Sequence, residues 1–405
     1  WVRKETALAV SGLVASGIFV AGYGWLAWWY DLARNDSLFV FLCLATTYQL
    51  RHGGRRQWLW AGLLATLALL AKQSALMWLP AVGVGAMCWN WRIAIKFGLI
   101  AVTAMSASIG ILHLASDGWS TLYLFQMPQH HGWVGHRKLG YWTQDIVPML
   151  PLVALGLAGF ATGLRSNAGN ALYLAAFGCG GIACSWLSRM HVGGFENVMM
   201  YGFASACVLG PIAASRGSGV MRIIGPSVLI LQFSWLGYEA WQRSPSVTLF
   251  PTAAHRKAHD ELRAYVSAQS GPVWIPAHGH ISYRAGNGTG AHGQAIFDIM
   301  QMLPKLSDGM LDFSALADPS KLAHLPKRGR EAVSALINNS NKALSELRFA
   351  AIVIDEVGAN PFAALFATGM SGYARKPGFV ISEPTAIKPL LGYDAHSPYV
   401  FEPRK

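Results

Sequence analysis

The chain has 405 residues, of which 53% are hydrophobic and only 13% charged, with a mean hydropathy of +0.33. A soluble domain carries about 25% charged residues, so this composition excludes an ordinary soluble globule and points to an integral membrane protein. The net charge of +12 does not mark a nucleic-acid binder, because the basic residues are scattered over short loops instead of gathered in one patch.

Taken in order, the chain opens with Trp1-Val2-Arg3-Lys4-Glu5, which reads as a loop leading into a helix. It begins without an initiator Met, and further helices and loops are expected upstream. Nine hydrophobic segments follow, at about 6–29, 37–50, 58–71, 74–89, 97–115, 146–164, 170–187, 198–214 and 223–241. A span needs roughly 20 apolar residues, and the shorter segments fit helices shielded by neighbours. The fold class expected is a polytopic α-helical membrane domain of about nine transmembrane helices over 1–242, followed by a small extracytoplasmic α/β domain over 243–405.

Alternating the loops places Arg3, Lys4, Arg51, Arg55, Arg56, Arg92, Lys96, Arg165, Arg216 and Arg222 on one side. Arg34, Lys72, Arg137, Lys138 and Arg189 fall on the other. The positive-inside rule puts the richer set in the cytoplasm and the C-terminal domain outside. Cys43, Cys88, Cys179, Cys184 and Cys207 all lie in apolar runs and read as small hydrophobes, without a disulfide framework.

Four features on the outward side could carry chemistry. The turn from Trp28 to Leu38 packs Asp31, Arg34 and Asp36 into six residues between two apolar runs. It reads either as a solvated turn with Trp28, Trp29 and Tyr30 as an aromatic belt, or as one wall of a site at the membrane surface. Lys72-Gln73-Ser74 interrupts the apolar sequence, and its lysine reads as a snorkelling side chain or a ligand group. The loop 116–145 mixes Trp119, Tyr123, Phe125, Trp133, Tyr141 and Trp142 with His130, His131, His136, Arg137 and Lys138. That mixture suits a helix lying on the membrane, or a sugar and phosphate site where rings stack and bases pair with phosphate. The fourth feature, Ser188 to Asn197, carries Arg189, a Gly193-Gly194 pair, and Glu196 and Asn197 at a helix start.

The spacing of His130, His131 and His136 is not a standard zinc pattern, so no metal ligand set is read. After 243 the charges become frequent. Helices at 255–270 and 331–347 and apolar strands at 272–276 and 349–354 suggest an α/β domain. His278, His280, His292, Asp298 and Asp355 fall at its strand ends and loops, where such domains place ligands. No Walker or G-x-S-x-G motif occurs.

The run Tyr30-Asp31-Leu32-Ala33-Arg34-Asn35-Asp36-Ser37-Leu38 resembles a turn of the GT-C glycosyltransferases. These are polytopic enzymes that use polyprenyl-phosphate sugars, and they include protein mannosyltransferases and the lipid A aminoarabinose transferase. Residues 60–76, with Lys72-Gln73-Ser74 near their end and Leu79-Pro80 beyond, are similar to a second segment of that group. Gly193-Gly194-Phe195-Glu196-Asn197 is similar to a late outward loop of bacterial members. The resemblance covers residues 1 to about 241, and 245–405 only in outline.

The resemblance implies transfer of a sugar from a lipid-linked donor to a glycan, lipid or protein acceptor on the outer face of the cytoplasmic membrane. No nucleic-acid partner and no firm cofactor are implied, and a divalent metal stays open. It implies Asp36 and Arg34 as catalytic residues. Lys72 is implied by motif as a donor-phosphate ligand and Glu196 and Asn197 by the late loop, while His130, His131, Arg137, Lys138 and Arg189 are expected as donor-phosphate or substrate ligands by their position in the outward loops only. The family's key acid lies in the first outward loop, which is expected upstream of Trp1. A transporter or flippase, and a non-catalytic scaffold with a partner-binding outer domain, are the rival readings.

Overall fold

A computed structural model describes residues 1–30, 34–243, 252–276, 278–288, 290–306, 311–316, 318–355, 370–376 and 398–404. Asp31 of the first turn lies outside the described residues. The chain forms two compact units, one of residues 1–116 and 133–245 and the other of residues 117–132 and 246–405.

The first unit is built of helices, chiefly Ala9–Ala21, Asp36–His52, Gln57–Ala71, Ala75–Ala115, Leu150–Ser166, Ala168–Arg189, Met199–Arg216 and Met221–Arg243. Among the described residues, four helices are long and apolar enough to cross a membrane: Ala75–Ala115, Gly135–Ser166, Ala168–Arg189 and Glu196–Arg216. The expected nine spans are thus corrected to four. Length is the main reason, since Ala9–Ala21, Asp36–His52 and Gln57–Ala71 have 13, 17 and 15 residues, against roughly 20 for a full crossing; the expected segments 74–89 and 97–115 also fall in the one kinked helix Ala75–Ala115. Met221–Arg243 is long enough but carries Arg222, Gln232, Glu239 and Gln242 among its apolar residues.

Two local breaks shape this unit. The apolar run 6–29 leaves the helix at Ala21, and residues 22–30 continue as successive turns, with Ala27 and Trp28 at positive φ. Within these turns a Cβ at Gly24 would stand 2.6 Å from Ala240 Cα, so only glycine permits the close approach of helix Met221–Arg243 there. The second break is in Ala75–Ala115, where Asn90 is non-helical (φ −155°, ψ 93°). Its side chain accepts from the Ile93 amide at 3.3 Å, so Asn90 caps a new helical arm. Gly83 lies 4.0 Å from the Phe97 ring by its Cβ direction. A straight helix would separate the two by about 21 Å, so the arms fold back on each other.

Helix Met199–Arg216 is the centre of the unit. Residues 197–207 are buried without interruption, as expected for a helix apolar on all sides. Its Gly202, Ala204, Ser205, Ala206 and Gly210 let the neighbouring backbones come close.

The second unit is a small α/β body. Its strands β1 (Val273–Trp274), β2 (Ala351–Asp355), β3 (Tyr373–Arg375) and β4 (Pro398–Pro403) lie in the order β1-β2-β4-β3. β1 and β2 are parallel, and β4 is antiparallel to both β2 and β3. The alternation of side chains along β2 feeds two cores. Ala351 and Val353 pack with Ala258, Leu262 and Val266 of helix Ala253–Ser267, while Ile352 joins Met300, Val333 and Leu344 from helices on the other face.

Leu122 and Met127 belong to that second core. The loop 116–145, expected as one surface-lying segment, is largely helical but divides between the units at Gly132 and Trp133. Within residues 117–132, Leu122 and Met127 are buried in the α/β body and Trp119 packs against them. Asp117 pairs with Arg328, and Lys305 Nζ donates to the His130 carbonyl at 3.1 Å. Leu122→Ala is therefore expected to destabilise the α/β unit by about 2–5 kcal/mol. Hydrogen exchange at the β2 amides would report it, and parental protection there would show that 117–132 is no part of that core.

Candidate functional site

Asp36 opens helix Asp36–His52, where the helix dipole favours a carboxylate. Lys72 ends helix Gln57–Ala71, where the dipole favours a cation. The fold brings these two complementary ends together. Asp36 is 1% exposed, and its Oδ1 accepts from Lys72 Nζ, from Asn197 Nδ2 at 3.0 Å and from Tyr201 OH at 2.9 Å. Its Oδ2 accepts no hydrogen bond among the described residues, and Arg34 Nε stands 3.4 Å away. The Asn197 Oδ1 is likewise buried and without a hydrogen-bond donor among the described residues.

The surrounding shell fixes this geometry. Asn35 Nδ2 donates to the Ala71 carbonyl at 2.5 Å, tying the turn before Asp36 to the end of the lysine's helix. Ser37 Oγ donates to the Tyr30 carbonyl at 2.7 Å. Lys72 Nζ lies 5.5 Å from the Tyr201 ring centroid, and Tyr201 meets Phe39 edge to face at 4.9 Å. The Arg34 guanidinium sits 5.0 Å over Trp29, which stacks in turn on Phe195 at 6.1 Å. Trp29 and Tyr30, read as candidate headgroup-belt rings, turn inward instead. Trp29 is 7% exposed, and Tyr30 stacks on Phe19 at 4.6 Å and donates to the Phe19 carbonyl.

Beside this centre lies a second charged group. Arg189 binds Asp145 at 2.8 and 3.3 Å, Glu196 at 3.3 Å and the Gly194 carbonyl at 2.8 Å. Arg137 donates to the same Gly194 carbonyl at 2.8 Å. Gly194 must be glycine, because a Cβ would collide with the Ser188 carbonyl. Arg189 is thereby engaged by two acids and a carbonyl, Arg137 donates through Nη1 to carbonyls, and together they hold the loop that delivers Glu196 and Asn197.

The residues expected to act together are thus sorted by the fold. Asp36, Arg34, Lys72 and Asn197 converge. Arg137, Arg189 and Glu196 brace the adjacent loop. Lys138 is exposed, and its carbonyl accepts from Trp186 Nε1 at 3.1 Å. His130 and His131 belong to the other unit and are not brought into this cluster. There His131 Nε2 stands 3.6 Å from Asp298 Oδ1, and the His130 ring lies 6.3 Å from that of His324. Burial pushes both histidines below their ordinary pKa, and burial pushes Asp298 up. Among the described residues no group of three or more His, Cys, Asp or Glu is arranged to hold a metal ion.

Two groups escaped the sequence reading. Tyr201 sits in an apolar run and looks like core, yet it is four residues after Asn197 and so shares its helix face. Glu5 forms a buried knot at the other end of helix Asp36–His52, about 22 Å along from Asp36. It pairs with Arg51, with Arg216 at 2.6 Å and with His52 at 2.9 Å, and Arg51 also donates to Asn170 Oδ1 at 3.1 Å. Burial alone would raise the Glu5 pKa, but Arg51 and Arg216 hold it down at about 2.

No family model, curated protein or solved structure matches this chain.

Proposed function

We propose that the Asp36 cluster is the centre of a GT-C-type membrane glycosyltransferase, which moves a sugar from a polyprenyl-phosphate donor to an acceptor hydroxyl at the outer face of the cytoplasmic membrane. The observation that carries the reading is the asymmetry of Asp36. One oxygen holds three protein donors, and the other is buried without a hydrogen-bond donor among the described residues. A buried acceptor atom left unmatched is destabilising by about 1–3 kcal/mol, a loss that a functional site recovers when its ligand binds.

In this reading Asp36 Oδ2 orients the acceptor hydroxyl as its oxygen bonds to the anomeric carbon, the bond to phosphate breaks, and the hydroxyl proton passes to the departing phosphate. Lys72, Tyr201 and Asn197 position Asp36. Arg34 is the open cation: its side chain is 49% exposed and it has no ion pair beyond Asp36 among the described residues. It stabilises the negative charge that grows on the leaving phosphate. Arg189, whose donors are already engaged, positions the Gly194 loop, and Arg137 supports it through the Gly194 carbonyl.

The full-length protein in vesicles with labelled polyprenyl-phosphate sugar tests this directly. Transfer to an acceptor in a membrane extract is expected. Flux across the bilayer without transfer would favour a transporter, and neither outcome would favour a scaffold. Arg34→Lys is expected to lower the transfer rate tenfold or more, because a planar two-pronged donor becomes a point charge. A parental rate in that variant would remove Arg34 from the site.

A further inference from the structure

In the α/β unit, two short ladders of basic side chains face one another. His259 and Arg263 are four residues apart on helix Ala253–Ser267, and so lie on one face. His280 and Arg284 repeat the spacing on helix Gly279–Arg284. The second helix is seated on the first by Ile281, buried in the same core as Ala258 and Leu262. It is also tied to β1, since Ser282 Oγ donates to the Val273 carbonyl at 2.9 Å. The four side chains, with Asp260, line a cleft of about 240 Å³. The His259 and His280 rings are 6.1 Å apart, and His278, buried beneath, lies 6.1 Å from His280.

The cleft gathers more cation than its acid can match. Asp260 is taken by Arg263 at 2.9 Å, and Arg284 has no acidic partner among the described residues. Burial, and then the neighbouring His278, push His259 and His280 below their ordinary pKa. They therefore stand beside the arginines as neutral imidazoles near pH 7, each with one N–H to donate. One wall of the cleft, helix Gly279–Arg284, follows closely on β1 in the chain. A tetrahedral oxyanion matches this set, because guanidinium forks and imidazole N–H groups converge on it from two walls.

We propose that this cleft binds a phosphate-bearing anion, separately from the Asp36 cluster. The phosphate could belong to a lipid headgroup or to a soluble compound, and the test distinguishes the two. In the full chain in detergent, diethylpyrocarbonate labelling of each histidine is followed by mass spectrometry, with inorganic phosphate or a water-soluble short-chain phosphatidylglycerol added. The expected result is at least threefold slower labelling of His259 and His280, with His113 and His324 unchanged as internal controls. Protection by both probes supports a soluble phosphate ligand, and protection by the lipid alone supports a headgroup. In Arg263→Gln/Arg284→Gln the protection should vanish; both arginines are exposed, so the fold is retained. Absence of protection by either probe, or protection that survives the double substitution, would overturn the proposal.

Discussion

Asp36→Asn is expected to lose transfer activity ten- to hundredfold and to unfold more readily than the parent. The activity loss follows from removing one charge-assisted contact, worth about 1.5–3 kcal/mol, at 1.4 kcal/mol per decade. The stability loss follows from Lys72, whose side chain is only 16% exposed and would be left beside a neutral amide. Breaking one side of a buried pair costs about 3–5 kcal/mol, whereas removing both charges is often close to neutral. Lys72→Met should therefore destabilise similarly, and Asp36→Asn/Lys72→Met should regain most of the stability. The double variant should still fail to transfer sugar. Thermal unfolding in detergent and the transfer assay, run on all four proteins, separate the two roles. A double variant that transfers at the parental rate would reduce the cluster to a structural pair, and the proposed site would be wrong.

Glu5→Gln is the second large effect. Glu5 is 2% exposed and faces Arg51, which is 7% exposed, so the substitution leaves a buried guanidinium without its counter-ion. A loss of about 3–5 kcal/mol is expected. The pH dependence has a definite sign. The Glu5 pKa falls from its ordinary 4.5 to about 2 in the folded protein. Its contribution is therefore complete above about pH 4.5 and is lost as the pH falls towards about 2. The interval corresponds to about 3 kcal/mol at 1.36 kcal/mol per unit. Unfolding measured from pH 6 to pH 2 should show that component in the parent and lack it in Glu5→Gln. An identical slope in both would show that the knot contributes nothing to acid stability.

Much of the architecture was legible from local chemistry. The low charge and long apolar runs mark membrane-type helices, and the alternation of apolar strands with amphipathic helices marks the α/β body, because both signals depend on periodicity within a few residues. The number of crossing helices was not legible. An apolar run does not say where its helix stops: one helix ends at Ala21 inside such a run, and Asn90 caps a new arm inside another.

The candidate site divides in the same way. The sequence by itself marked Asp36 and Arg34 as charges at the end of an apolar run, Lys72 as a cation between two such runs, and Asn197 as a polar residue at a helix start. It also placed His130, His131, Arg137 and Lys138 in one aromatic loop, with nothing to separate them. Only the tertiary structure decided which of these meet. The hydrogen bonds to Asp36 span 36, 161 and 165 positions of chain, and no local pattern encodes contacts at such separations. They form because the carboxylate-bearing start of one helix and the lysine-bearing end of another are complementary charges that cannot be buried singly. Residues 117–132 were drawn away from the rest of their loop for a different physical reason: Leu122 and Met127 find a core to fill in the α/β unit.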